Sequence, residues 1–221
     1  MALSRLLIIG LCCLVTGTAE AGTAEPILKN YLEEHQGTWS VKSVPYWTNG
    51  KLTGCQLTFN ALQEDQLYRI GTFQKIIGSV GIMSVSGTPA VIVKVVVNEL
   101  STTNLGKLIP RAPTRAYLIG PDFKTNASAL VSSTKSELPG GIFAIYQVDP
   151  SLNILMEAVK SKELMIGFND GEGKSDTQLR IQLTVQTRTD DGKPVYSEQM
   201  AKDFAKCSII LFNEIESNLQ K

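Results

Sequence analysis

The residues best suited to chemistry crowd into one short loop. Asn169, Asp170, Glu172 and Asp176 carry oxygen-bearing side chains within eight positions. Hard oxygen donors of this kind suit Ca²⁺. The spacing departs from an EF-hand, which alternates acidic or amide ligands and then turns on a glycine. Asp170, Glu172 and Asp176 are therefore the metal candidates, and the expected state is a metal-free, solvated hairpin loop. Gly171-Glu172-Gly173-Lys174-Ser175 also resembles the end of a phosphate-binding loop. That motif needs a further glycine at Phe168, and Gly167 stands one residue too early. The cradle of backbone N–H groups would not close.

Other catalytic patterns are thin. His35 is the single histidine and sits among Glu33, Glu34 and Gln36, the setting of a surface side chain. No Gly-x-Ser-x-Gly elbow occurs among the serines. Paired carboxylates for glycoside hydrolysis need only spatial closeness, and nothing marks such a pair. Lys107, Arg111 and Arg115 form a small basic run in a Pro/Gly loop, a contact for an anionic partner or simply a solvated loop. Asn126-Ala127-Ser128 matches the glycosylation acceptor pattern. Tyr46 and Trp47 could form an exposed aromatic patch, although strand alternation turns one of them inward.

The N-terminus sets the compartment. Arg5 precedes the apolar run Leu6 to Val15, and Ala19-Glu20-Ala21 fits the small-x-small cleavage rule. Ten residues are too few to cross about 30 Å of hydrocarbon. Residues 1–21 read as a signal peptide, and 22–221 as a single β-rich domain. Cys12 and Cys13 leave with the signal, so Cys55 and Cys207 remain. Two cysteines in an exported chain are most simply one disulfide, against the alternative of two buried thiols. The enclosed loop would be worth roughly 5 kcal/mol by chain entropy. Two thiolates and one distant histidine fall short of a zinc site. No metal or other cofactor is expected.

Elements must position these residues. Residues 24–35 read as a short helix. Thr38 to Trp47 and Leu52 to Phe59 flank Asn49-Gly50, a hairpin signal. In the returning strand Cys55 shares a face with Leu57 and Phe59. Gln66 to Phe73 alternates again, and Ile76 to Val85 is interrupted by glycines that suggest a bend or bulge. Ala90 to Val97 (AVIVKVVV) reads as a central strand buried on both faces. Residues 101–114 read as a loop, Ala116 to Ile119 and Ile142 to Val148 as strands, and the polar interval 121–141 as a connection ending in the turn Pro139-Gly140-Gly141. A short helix follows at 151–160, with Leu152, Leu155, Met156 and Val159 on one face. Glu163 to Phe168 and Gln178 to Thr187 form strands. The last helix, Ser197 to Leu219, carries the stripe Met200, Phe204, Cys207, Leu211 and Ile215. Cys207 thus lies on a buried stripe and can meet the core-facing Cys55.

Composition bounds the partners. Lys+Arg and Asp+Glu are both 21, so the formal net charge is zero and nothing marks a nucleic-acid binder. With 43% hydrophobic and 19% charged residues the chain can bury a core.

The order Trp39-Ser40-Val41, Cys55, the apolar helix through Leu152 to Val159, the strands ELMIGF and LRIQLTV, and Phe204 opening a final apolar stripe resembles bacterial periplasmic proteins related to invasion-associated locus B. Residues 101–141 have no counterpart in that pattern. The resemblance implies a β-sandwich-like periplasmic protein of envelope or host interaction, with no catalytic residues to carry over. The expected fold is α+β, mainly antiparallel β (sandwich or open barrel) with N- and C-terminal helices. The expected function is that of an exported, non-catalytic interaction protein. Its partner is a protein or envelope component, and no transmembrane span remains after cleavage. The competing reading is an exported hydrolase or small-ligand-binding protein. A deep pocket with convergent ionisable groups would mark the second, and a flat or edge-strand surface the first.

Overall fold

Asn49 and Gly50 have φ of 51° and 74°, the left-handed pair that a tight hairpin turn demands. They join β1 (Gly37–Thr48) to β2 (Lys51–Asp65). The structure, a computed structural model, describes residues 24–85, 87–100, 107–171 and 175–219. The predicted signal peptide and Glu172 lie outside them.

From β2 the chain climbs through β3 (Thr72–Val85) and β4 (Thr88–Leu100) as an antiparallel meander. The short β5 (Leu108–Pro110) pairs with the end of β4. β6 (Ala116–Ile119) leaves for a second sheet. β7 (Leu130–Lys135) and β8 (Gly141–Tyr146) form a hairpin whose β8 arm pairs with β4. The large sheet therefore runs β1-β2-β3-β4-β8-β7. Helix α2 (Val148–Ser161) leads to β9 (Glu163–Asn169) and β10 (Asp176–Gln182), which complete a three-stranded sheet β10-β9-β6. A small ribbon of β11 (Val185–Arg188) and β12 (Pro194–Tyr196) precedes α3 (Gln199–Leu219). With α1 (Ala24–Glu34) at the start, the expected α+β class with terminal helices is the observed one.

The register explains the core. Cys55, Leu57, Phe59 and Ala61 pair with Ile82, Val80, Gly78 and Ile76, and these with Val91, Val93, Val95 and Val97. Those side chains share one face and pack against β6, β9, β10, α2 and α3 in one buried cluster. On the other face α1 covers only one end. There Leu28 and Leu32 meet Trp39, Leu62, Phe73 and Leu100.

Cys55 and Cys207 are bonded, with Cα atoms 5.8 Å apart. Each lies on the face that alternation or helical periodicity assigns it. Met200, Phe204, Leu211 and Ile215 of the α3 stripe are all buried. Ser197 Oγ accepts from the Gln199 N–H at 3.1 Å and caps the helix.

Several expectations are corrected. Residues 66–71 form a turn, because Asp65 Oδ1 accepts from the N–H groups of Leu67 (3.0 Å) and Tyr68 (2.8 Å). β3 runs without a bulge. Gly78 is there because a side chain would strike the Phe59 ring and the Lys94 carbonyl. The long strand expected over Gln178–Thr187 breaks at Leu183–Thr184, although Leu179, Ile181, Leu183 and Val185 are all buried. Leu183 N–H turns to Lys162 O at 2.9 Å, and Ser197 N–H to Thr184 O at 2.7 Å. In α2 the deepest residues are Ser151, Ile154, Leu155 and Ala158, with Leu152, Met156 and Val159 on the flanks. The interval 121–141, expected to be a connection, contains β7.

Candidate interaction surface

β7 is one outer edge of the seven-stranded sheet, and all six of its residues are exposed. Ser136 N–H donates to Gly141 O at 2.9 Å, which fixes the phase of the hairpin. Antiparallel pairing alternates inward and outward main-chain groups. Counting back from Ser136, Thr134 and Ser132 turn theirs toward β8. Ser133 and Lys135 turn theirs to the free side. An extra residue, Val131, interrupts the register between Leu130 and Ser132.

Beside this edge is an apolar hollow of about 430 Å³, lined mainly by Val85, Pro89, Ala90, Val131, Ile145 and Tyr146. Val131 is 61% exposed at its rim. Unpaired main-chain groups beside an apolar socket are what an added strand requires.

The opposite edge, β1, is covered at its Thr38 end. Arg188 spreads its guanidinium over three carbonyls, donating to Thr38 O (3.2 Å), Gln36 O (3.0 Å) and Gly192 O (2.8 Å). Thr38 Oγ1 accepts from the Gln182 N–H at 2.8 Å. Further along, Pro45 removes a donor from the same strand. The β1 edge is therefore partly covered and the β7 edge left open, which bears on function because open edges invite pairing.

The sequence-predicted site residues go elsewhere. Asp176 is held by Arg115 Nε at 2.6 Å and by the Tyr117 hydroxyl at 2.8 Å. Burial first, and then that hydrogen bond, push the Tyr117 hydroxyl up to about 12. Asp170 is nearly buried and faces Arg111 Nε at 3.9 Å, beyond hydrogen-bond reach. Arg111 and Arg69 both pair with Glu99. Burial lowers the Arg111 guanidinium from its ordinary value, and Arg69 adds to the effect. The loop from Arg111 to Arg115 is stapled to β9 by Asn169, whose Oδ1 accepts from the N–H groups of Thr114 (2.8 Å) and Arg115 (3.1 Å). The basic run is thus no patch, since Arg111 turns inward to Glu99 and Arg115 to Asp176. Among the described residues no three His, Cys, Asp or Glu side chains gather closely enough to hold a metal ion.

His35 stacks on Tyr31 with ring centroids 3.9 Å apart, and its Nδ1–H donates to Tyr31 O at 2.6 Å. Tyr46 and Trp47 are both exposed, because a register shift between them at the hairpin tip cancels the alternation. Asn126 is fully buried. Its Oδ1 accepts from Leu118 N–H (2.8 Å) and its Nδ2 donates to Ser151 Oγ (3.0 Å), so folding withdraws the acceptor amide of the glycosylation pattern.

Sequence reasoning missed β7. Its signal was the Pro139-Gly140-Gly141 turn, which needs a strand on each side, and Leu130–Lys135 is the arm facing the recognised one. Among the described residues no helix is long and apolar enough to cross a membrane. In comparison with known proteins, the chain matches no family model, no curated sequence and no solved structure.

Proposed function

We propose that this chain is an exported, non-catalytic interaction protein of the cell envelope or of host contact, and that it holds its partner by strand addition at β7. Ser133 and Lys135, with their main-chain groups aimed outward on the strand whose Val131 rims an apolar hollow, carry this reading. The partner supplies an extended segment whose backbone continues the sheet and whose aliphatic or aromatic side chain fills the hollow. Each main-chain hydrogen bond contributes about 0.5–1.5 kcal/mol net, and the buried side chain adds about 1.5–3 kcal/mol. The disulfide supports an oxidising compartment. The predicted signal peptide and the resemblance to locus-B-related periplasmic proteins support the same assignment.

The test is affinity capture from the native envelope, with crosslinking and mass spectrometry, using the wild type and Ser133→Pro. Proline at an outward-facing position deletes an N–H that β8 does not use, and edge strands tolerate it. The wild type should capture a partner crosslinked near β7, and the folded variant should lose it. Capture that survives the substitution, or crosslinks confined to another face, would overturn the assignment.

A further inference from the structure

Lys94 interrupts the apolar strand between Ile92 and Val96, both almost wholly buried. Its side chain is only 21% exposed, whereas its ion-pair partner Glu137, on the turn after β7, is 72% exposed. Placing an ammonium in such surroundings costs hydration, and a pair with so exposed a partner returns little.

Register places it in a row. Lys94 pairs with Ser79, Ser79 with Thr58, and Thr58 with Lys42. The four side chains lie on one face, opposite the core, as ammonium, hydroxyl, hydroxyl, ammonium across adjacent strands. At about 4.8 Å per strand the row spans roughly 14 Å between its outer Cα atoms. Above it is a hollow of about 350 Å³, also lined by Tyr46, Asn60 and Ser40. Asn60 Nδ2 donates to Ser40 Oγ at 3.0 Å, which leaves the Ser40 proton free to point elsewhere. The lining is rich in donors, and the Glu137 carboxylate already occupies Lys94.

We infer that this face binds an acidic sugar. The ligand's carboxylate displaces Glu137 from Lys94 and lies within reach of Lys42. Its hydroxyls meet Thr58, Ser79 and Ser40, and its C–H face lies along the Tyr46 ring. The volume lies within the range of small-ligand sites. The inference stands apart from partner binding at β7, because the row uses neither Ser133 nor Lys135.

Calorimetric titration of the whole mature protein with D-glucuronate, D-glucose and inorganic phosphate tests it. Glucuronate should saturate one site, with glucose, which lacks the charge-assisted contact, and phosphate, which lacks the ring and the hydroxyls that meet Thr58, Ser79 and Ser40, each at least about tenfold weaker. Lys42→Gln, at an exposed position, and Lys94→Gln should each weaken glucuronate about tenfold. Glu137→Gln should tighten it by freeing Lys94, a response that a purely structural ion pair would not give. Phosphate binding as well as glucuronate would reduce the row to an unselective anion site. Glucose binding equally would show that the lysines are idle. Either result, or no saturable heat with folded wild-type protein, overturns the inference.

Discussion

Cys207, in the middle of α3, is bonded to Cys55, in the core face of β2, across 152 residues of chain. The bond fastens the last helix to the first hairpin, and Phe204 and Leu211 bury their side chains on either side of it. Breaking it should cost about 2–5 kcal/mol, a large share of a net stability of ~5–15 kcal/mol. Cys55→Ala, Cys207→Ala and the double variant should therefore lose similar stability in urea titrations, because all three lack the same bond. A double variant much weaker than either single would show that the bond is not what the singles remove.

Glu99 is the carboxylate shared by Arg69 and Arg111. Glu99→Gln keeps the shape and removes the charge, leaving the mostly buried Arg111 with the more distant Asp170. Removing one partner of a buried pair costs about 3–5 kcal/mol. The midpoint of chemical unfolding should fall accordingly. An unchanged midpoint would mean that the arginines find water instead.

Asn126→Ala deletes two buried hydrogen bonds and orphans the Leu118 N–H. The loss should be about 1–3 kcal/mol. Peptide mapping of the chain expressed through a eukaryotic secretory pathway should find Asn126 without a glycan in the folded fraction, and a stable glycosylated form would contradict its burial.

Three of the six tyrosines should ionise late, since burial raises Tyr68 as well as Tyr146 and Tyr117. Burial raises Tyr146 to about 12, where its hydroxyl donates to Ala116 O at 2.5 Å. Tyr117 is raised to about 12 as well. Unfolded tyrosine ionises near 10 (about 10 in peptides). The folded state thus favours the neutral phenols, and the stability this confers is fully present below about pH 10 and lost as pH rises toward 12. Phenolate absorbance should show these three groups lagging the others, and stability should fall over the same interval. Titration of all six together in folded protein would refute the burial assignment.

Where the chain buries one face and wets the other, the fold was legible. The alternation of Cys55, Leu57 and Phe59, and the stripe through Phe204 and Cys207, located the disulfide before any geometry was known. Legibility failed where that contrast vanishes. β7 is wet on both faces, so Ser132-Ser133-Thr134 carries no hydrophobic period. The break at Leu183–Thr184 is hidden because burial continues across it in the same phase. The row from Lys42 to Lys94 could not be read at all, since it exists only through the register of four strands. Arg111 and Arg115 misled for a related reason. Their acidic partners, Glu99 and Asp176, come from distant segments, and spacing along the chain carries no trace of the pairing.

The most direct test of strand addition at β7 is residue-resolved amide hydrogen exchange on the chain alone and on its captured complex. In the free protein the amides of Ser133 and Lys135 should exchange fast, and those of Ser132 and Thr134, which face β8, more slowly. Partner binding should slow Ser133 and Lys135 selectively, because only these two gain a new acceptor. Exchange at Ser133 and Lys135 that is unchanged in the complex would contradict the account, whatever else the partner protects.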